Sequence, residues 1–265
     1  MADDTPQPHY AGRWKFNEAT TATPPVTPDD LGAYPAALYG PAAISPDGNV
    51  GTGALALDGD TAYAATTGTP LRTDESFTVT AWARPTTPPT SDMTVLSLGD
   101  GTDSALTLRW HYVGTFPDPD FPQYPELDTV EGEWQAETVS GGTPRVHTVV
   151  TYPAVASPTG DWTYLTVTYD AVAGQLVLYV NGSPDGRTCD DDTTGTCTPL
   201  ISYADADLPF RATSGLQFGR GLADGQWVQP FSGRIDDVWA YQGLLTQSQI
   251  ISLGNPLELD TPTGP

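Results

Sequence analysis

Residues 162–182, WTYLTVTYDAVAGQLVLYVNG, decide the fold. Every second position in both halves of this segment is apolar or aromatic: Leu165, Val167 and Tyr169, then Leu176, Leu178 and Val180. Successive side chains of a β-strand point to opposite faces, so this period predicts two strands that each bury one face. Residues 170–174 and the pair Asn181-Gly182 are typical of tight turns. The segment therefore predicts a β-hairpin.

The same alternation recurs outside the hairpin. Residues 77–84 place Phe77, Val79 and Ala81 on one face and polar residues on the other, which predicts a further strand. One helix is predicted, over residues 247–253, with Thr246 as its N-cap and Gly254 at its end. Residues 114–125 contain four prolines and predict a long loop. The chain is therefore predicted to be all-β.

One domain is expected, over residues 12–255. Residues 1–11 and 256–265 resemble linkers, and we expect the natural protein to continue beyond both. No basic and apolar leader follows Met1, so we expect no signal peptide and interpret Met1 as a start codon placed before an excised segment.

The charge of the chain excludes several partners. Its 265 residues include 33 acidic and 10 basic ones, which gives a formal net charge of −23. Such a chain cannot neutralise a run of phosphates, so we expect no nucleic-acid partner, and an anionic membrane surface would repel it. No stretch approaches the roughly 18 apolar residues of a membrane span, so no membrane insertion is expected. The acidity indicates either solubility outside the cell or a high-salt habitat.

The two cysteines, Cys189 and Cys197, enclose seven residues. A metal or redox role would favour a CxxC spacing or a nearby histidine, and neither is present. We therefore predict a disulfide, which would stabilise the fold by roughly 2–3 kcal/mol. A disulfide implies an oxidising compartment, so the protein is expected to be secreted or on the cell surface.

Four segments together carry a family resemblance. They are residues 14–18 (WKFNE) with the turn at 29–32, residues 53–59 (GALALDG), the hairpin at 162–182, and residues 231–238 (FSGRIDDV) with the helix after them. In order and spacing they resemble the laminin G-like jelly-roll domains of the concanavalin A-like lectin/glucanase superfamily, particularly those of large secreted actinobacterial proteins. The resemblance covers residues 14–253 and implies a two-sheet antiparallel jelly-roll β-sandwich with one short C-terminal helix.

The resemblance also implies a structural Ca²⁺ ion. Carried over residue by residue, its ligands would be Glu18, Asp29 and Asp236, since carboxylate oxygens are the ligands that Ca²⁺ prefers. The family turn Asp-Ser-Ser-Gly is altered here to Asp29-Asp30-Leu31-Gly32. The alternative is that so acidic a chain groups these carboxylates by chance.

A catalytic motif is the next possibility. Glu126, Asp128 and Glu131 resemble the Glu-x-Asp-x-x-Glu signature of laminarinase-type glycoside hydrolases, which share the fold. In a retaining mechanism Glu126 would be the nucleophile and Glu131 the acid/base. Against this, the motif follows a proline-rich stretch and belongs to a longer acidic run, and the family pattern places the strand later, at residues 133–139. The motif is therefore interpreted as a coincidence of composition.

Aromatic residues offer a binding site without catalysis. Of those in the least regular segments, we expect Trp134 and Trp227 to contact a ligand and the others to pack in the core or the loops. The predicted function is a non-catalytic recognition or adhesion module of a larger secreted or surface protein. Its partners would be a glycan or an extracellular protein, beside neighbouring domains of the same chain. The alternatives are the hydrolase and a purely structural spacer.

Overall fold

The computed structural model describes residues 7–125, 128–137, 149–150, 155–156, 160–184, 186–187, 200–201 and 211–256. Its strands, in chain order, are β1 (His9–Trp14), β2 (Val26–Thr27), β3 (Ala36–Tyr39), β4 (Ala43–Ser45), β5 (Ala54–Asp58), β6 (Tyr63–Thr66), β7 (Phe77–Pro85), β8 (Met93–Gly99), β9 (Ser104–Phe116), β10 (Thr129–Glu137), β11 (Val149–Val150), β12 (Val155–Ala156), β13 (Thr163–Asp170), β14 (Gln175–Val180), β15 (Ser183–Pro184), β16 (Gly186–Arg187), β17 (Leu200–Ile201), β18 (Gln217–Phe218), β19 (Gly221–Ala223), β20 (Gln226–Val228) and β21 (Ser232–Gln242). The helix α1 is Gln247–Leu253.

Two large antiparallel sheets form the molecule. The eight-stranded sheet has the order β15-β14-β13-β7-β21-β5-β4, with β1 also paired to β21. The nine-stranded sheet has the order β11-β10-β9-β8-β18-β6-β3-β2, with β12 also paired to β10. Two small hairpins, β16-β17 and β19-β20, lie beside them. The prediction of an all-β jelly-roll sandwich is confirmed.

The core lies between the two sheets. Strands of both sheets contribute residues to one continuous apolar cluster, in which aromatic rings in and just after β1 meet one from the facing sheet. The ring centroids of Trp14 and Phe16 lie 5.6 and 5.3 Å from that of Phe218 on β18. Such interdigitation of two inner faces is the usual packing of a β-sandwich.

The predicted hairpin is present as β13 and β14. Leu165 pairs with Val180 and Val167 with Leu178, and on this face Leu165, Val167, Leu176 and Leu178 are all 0% exposed. The alternation of the sequence therefore predicted both strands and the residues that face the core. β13 differs by being buried on its other face as well, where Tyr164 packs against Leu245 and Ile250.

The helix α1 is also where the sequence predicted it. The Thr246 hydroxyl accepts a hydrogen bond from the Gln249 backbone N–H, and the Gln249 side chain accepts one from the Thr246 backbone N–H, which is a capping box. Ile250 is fully buried in a second apolar cluster with Tyr164 and Leu245, so the helix covers part of the outer face of the eight-stranded sheet. No helix in the described ranges is long and apolar enough to cross a membrane.

Two boundaries differ from the prediction. β1 begins at His9, so the linker predicted to end at residue 11 overlaps the first strand. β9 extends to Phe116, because Thr115 and Phe116 pair with Val130 and Thr129 of β10. The loop predicted at 114–125 therefore begins three residues later, at Pro117.

Candidate functional site

A stack of aromatic rings lies on the outer face of the nine-stranded sheet, where β3 and β6 meet. Tyr39 and Tyr63 face each other directly across these two strands, and their ring centroids are 4.7 Å apart with an interplanar angle of 14°. Their neighbours Leu38 and Ala64 are buried in the core, so the period of two sends both tyrosines to the outer face.

Arg220 continues this stack. It follows β18, the strand next to β6, and its guanidinium carbon lies 3.2 Å from the ring centroid of Tyr63. The same carbon is 3.4 Å from the ring centroid of Trp227, on β20. Tyr39, Tyr63, Arg220 and Trp227 therefore form one continuous stack, which we call the Arg220 stack.

The hairpin that carries Trp227 is fixed to the turn between β8 and β9. The Leu222 N–H donates to Ser104 Oγ at 2.9 Å, and the Asp224 N–H donates to Asp103 Oδ1 at 2.9 Å. Because these two hydrogen bonds attach the β19–β20 hairpin to the start of β9, the backbone that carries the Trp227 indole is fixed without a ligand.

A cleft of about 320 Å³ adjoins the Arg220 stack. It is lined by Asp60, Thr61, Ala62, Tyr63, Gly219, Arg220, Trp227, Val228 and Pro230. Trp227 is 47% exposed although Arg220 covers one side of its ring. The cleft therefore combines a rigid, accessible aromatic surface with a few polar groups, which is the usual composition of a ligand site.

The polar rim of the cleft is a turn held by Asp58. Its Oδ1 accepts hydrogen bonds from the backbone N–H groups of Asp60, Thr61 and Ala62, at 3.0, 3.1 and 2.8 Å. Desolvation is the largest single effect and raises the pKa of Asp58, but the backbone N–H groups together outweigh it and lower the pKa, so the carboxylate that shapes the turn stays ionised.

Gln217 orients the guanidinium of Arg220. Its Oε1 accepts hydrogen bonds from Nε at 3.0 Å and from Nη2 at 2.8 Å. Partial burial lowers the pKa of Arg220, while Tyr63 and Tyr39 oppose this shift. An arginine begins from so high a value that the group is still a cation at neutral pH.

The two tryptophans predicted to contact a ligand lie in different environments. Trp227 lines the cleft, whereas Trp134 is 2% exposed and its ring centroid is 5.2 Å from that of Trp110 in the core. Along β10 the alternation sends Glu133 and Gln135 outwards and Trp134 inwards. The prediction of a ligand contact at Trp134 is corrected accordingly, and we assign this residue to the core.

Farther along the same outer face, Arg109 joins a group of carboxylates. Its Nη1 lies 3.2 Å from Asp92 Oδ2, and its Nη2 pairs with Glu137. His111 Nδ1 lies 2.9 Å from Asp92 Oδ1. Burial raises the pKa of Glu137, although Arg109 opposes the shift. The two carboxylates in contact with Arg109 are thus engaged by a cation of the same sheet.

The three residues of the hydrolase-like motif are only partly described. Glu126 lies outside the described residues, Asp128 precedes β10, and Glu131 lies within β10 opposite Gly114. The alternation of β10 places Glu131 on the outer face with Glu133. The catalytic arrangement of the motif therefore stays a prediction.

Asp29, one of the three predicted calcium ligands, closes a turn. Its Oδ1 accepts the Tyr34 N–H at 2.9 Å and its Oδ2 accepts the Ala33 N–H at 3.3 Å. Glu18 is exposed. Across the residues with described side chains, no three histidines, cysteines, aspartates or glutamates form a group that could hold a metal ion.

Asp236, the third predicted ligand, is fully buried and bound by the backbone. Its Oδ2 accepts the N–H groups of Asn49 and Val50 at 2.7 and 2.8 Å, and its Oδ1 accepts that of Asp237 at 2.8 Å. Burial raises the pKa of Asp236 to about 7, while these N–H groups act in the opposite direction. Both of its oxygens face donors, so the predicted ligand set does not fit a calcium site, and calcium binding elsewhere stays a prediction. The cysteines Cys189 and Cys197 lie outside the described residues.

The sequence did not single out Tyr39, Tyr63 or Arg220. The stack joins residues from β3, β6 and the segment after β18, and strand order between them cannot be read from spacing along the chain. One signal was available, because Arg220 stands alone between Gly219 and Gly221 in a chain with few cations.

Comparison with known families places the fold. Residues 58–251 match the model of the concanavalin A-like lectin/glucanases superfamily. The chain belongs to this superfamily. A comparison with curated proteins finds no sequence match.

The chain is similar in fold to several solved structures. One is domain 4 of AbnA, a GH43 extracellular arabinanase from Geobacillus stearothermophilus, in complex with arabinotriose. It has 19% identity and a TM-score of 0.54, over 94% of this chain and 99% of that domain. Trypanosoma rangeli sialidase in complex with 2,3-difluorosialic acid has 16% identity and a TM-score of 0.56, over 94% of this chain and 33% of the sialidase. At these identities the likeness concerns the fold alone.

Proposed function

We propose that this member of the superfamily is a non-catalytic carbohydrate-binding module, with the cleft beside the Arg220 stack as its binding site. The observation that carries the proposal is the exposed indole of Trp227, held in place by Arg220 on one side and by the anchored β19–β20 hairpin below. A flat aromatic face packs against the C–H face of a sugar ring. A surface that is already ordered loses little entropy on binding.

The rim of the cleft supplies the polar contacts that a sugar requires. Asp60 and Thr61 are exposed at the edge of the cleft, and Asp58 fixes the turn that carries them. Sugar hydroxyl groups can donate to the Asp60 carboxylate and to the Thr61 hydroxyl. The cleft thus offers an aromatic face for stacking together with hydrogen-bond acceptors for hydroxyl groups, and a sugar can use both.

The state of the outer-face carboxylates supports binding over hydrolysis. A retaining glycosidase uses two carboxyl groups about 5–5.5 Å apart, one free to attack and one free to carry a proton. Asp92 and Glu137 are instead engaged by Arg109. This argues against a hydrolytic pair at Asp92 and Glu137. We favour the module over the hydrolase that Glu126, Asp128 and Glu131 would form because that motif belongs to a longer acidic run in a strongly acidic chain.

The setting of the module is proposed to be extracellular, in a larger secreted or surface protein. The predicted Cys189–Cys197 disulfide supports this, because disulfides persist in oxidising compartments. The related domain of AbnA belongs to an extracellular arabinanase and was solved with arabinotriose. A glycan is accordingly the partner that we propose, and an extracellular protein is the alternative partner.

A glycan array followed by titration calorimetry tests the binding function. The wild-type protein should bind at least one glycan, and Trp227→Ala should weaken that binding about tenfold or more, since stacking on an aromatic ring is lost. Tyr124→Ala is the matched control, because Tyr124 is 46% exposed and does not line the cleft. Silence of the wild-type protein across the array would favour the spacer or a protein ligand.

An activity assay separates the module from the hydrolase. The module should release no reducing sugar from β-glucan. Hydrolysis that Glu126→Gln or Glu131→Gln abolishes would overturn the proposal of a non-catalytic function.

A further inference from the structure

Arg220 differs in its surroundings from the other lysine and arginine side chains that the structure describes. Eight lysine and arginine side chains are described, and six of them lie within 4.0 Å of a carboxylate: Arg13, Lys15, Arg72, Arg84, Arg109 and Arg234. Arg211 is exposed to water. Arg220 is partly buried, yet no described carboxylate lies within that distance of it.

A partly buried arginine with no carboxylate within 4.0 Å is unusual among the described side chains of this protein. With 33 acidic residues against 10 basic ones, carboxylates are available to almost any cation. A partly buried charge without an opposite charge costs free energy, so proteins usually pair it. The rings of Tyr63 and Trp227 offset part of that cost, because a cation is attracted to the face of an aromatic ring.

The hydrogen bonds of Arg220 leave one edge of the guanidinium open. Nε and Nη2 both donate to the single oxygen Oε1 of Gln217, which lies in β18. The guanidinium is planar and its Nε–Nη2 edge faces Gln217, so Nη1 lies away from Gln217. The ring centroids of Tyr63 and Trp227 lie 3.2 and 3.4 Å from the guanidinium carbon, and we infer that a ligand approaches in the plane, along the edge formed by Nη1 and Nη2. That in-plane edge matches the two oxygens of a carboxylate.

The geometry points to an acidic saccharide as the ligand of the cleft, with its carboxylate bound in plane by Arg220 and a neighbouring sugar ring stacked on Trp227. This inference rests on the proposed function and names its ligand class. The site is selective because a carboxylate can form a bidentate ion pair with Arg220, whereas a neutral sugar can accept only single hydrogen bonds without an opposite charge.

Two sources of negative charge would repel an anionic ligand, and both repulsions are weak. Asp60 lines the cleft but is exposed, and charges in contact with water interact weakly. The net charge of −23 repels anions at long range, but salt at 0.15 M screens exposed charges beyond about 8 Å. A direct bond to the partly buried guanidinium is screened much less.

Matched pairs of glycans test the inference. The array carries oligogalacturonides beside their methyl esters, and sialylated glycans beside the same glycans without sialic acid. In at least one pair the acidic member should bind about tenfold or more tightly than the neutral one, which corresponds to a hydrogen bond to a charged group. Arg220→Gln and Arg220→Lys should each remove most of this preference, since lysine keeps the charge but has no planar fork.

Two internal controls keep the result interpretable. Arg211→Gln makes the same change in net charge at an exposed arginine outside the cleft and should leave the preference intact. Binding of the neutral member, together with an unchanged urea midpoint, shows that the cleft of each Arg220 variant is still folded.

The outcomes separate the inference from the proposed function. Equal binding of both members of every pair, lost in Trp227→Ala and kept in Arg220→Gln, would overturn the acidic ligand and leave the carbohydrate site. An acidic preference that persists in both Arg220 variants would also overturn it, because the carboxylate would then bind elsewhere. No binding to any glycan would contradict both proposals.

Discussion

Trp134 and Trp227 show how residue environment decides the role of a side chain. Trp134 is 2% exposed and contacts Trp110 in the core, whereas Trp227 is 47% exposed beside the cleft. We expect Trp134→Ala to lower the free energy of unfolding by about 3–5 kcal/mol, because a large buried ring leaves a cavity. Trp227→Ala should cost about 1 kcal/mol or less. Urea denaturation measures both, and equal losses would contradict the assignment of the two residues.

The ion pair of Arg13 and Asp237 is another residue-scale feature. Arg13 Nε lies 2.5 Å from Asp237 Oδ1, and the two side chains are 5% and 1% exposed. Arg13→Ala would leave Asp237 charged and buried with Trp239 Nε1 as its remaining side-chain donor, and should cost about 3–5 kcal/mol.

The control for this pair is Arg72→Ala. Arg72 pairs with Asp74 and Glu75 at the surface, where its side chain is 46% exposed, and exposed pairs contribute about 0–1 kcal/mol. A similar change in the urea midpoint for both variants would contradict the claim that the buried ion pair contributes more to stability than the exposed one.

Substitution of Asp236 tests whether this residue binds calcium. Its carboxylate accepts three backbone N–H groups, so Asp236→Asn should cost about 1–3 kcal/mol by turning an amide N–H₂ towards those donors. The decrease in melting temperature should be the same in CaCl₂ and in EDTA. A calcium-dependent rise in melting temperature that only the wild-type protein shows would return Asp236 to the role of a ligand.

At the scale of elements, α1 is stabilised by one face. Ile250 is 0% exposed against Tyr164 and Leu245, while Ile251 is 54% exposed. We expect Ile250→Ala to lower the free energy of unfolding by about 2–5 kcal/mol and Ile251→Ala to lower it by about 0.5 kcal/mol or less. Thermal and urea unfolding measure the pair, and equal costs would mean that α1 does not pack on the sheet.

Elements defined by local signals were predictable from the sequence. The β13–β14 hairpin follows from period 2 and two turns, and α1 follows from Thr246 and Gly254, because each signal lies within the element itself. The extent of β9 was not predictable. Its last residues are strand because they pair with β10, and an extra residue at Val113 shifts the register between the two.

At the scale of the whole molecule, the candidate site was largely outside the reach of the sequence. Trp227 was predicted as a ligand contact, but its neighbours Tyr39, Tyr63 and Arg220 come from strands that become adjacent only in the folded sheet. The hydrolase-like motif shows the opposite effect, since it is conspicuous in the sequence because the chain is acidic. A net charge of −23 produces many short acidic patterns, and it also makes an arginine with no described carboxylate within 4.0 Å informative.

The most direct test of the account is a crystal structure of the protein with an oligosaccharide identified on the array. We predict a sugar ring against the exposed face of Trp227, within the cleft that Asp60 and Arg220 also line. A sugar bound instead beside Arg109 and Glu137, or in the loop around Tyr124, would contradict the assignment of the Arg220 stack as the binding site.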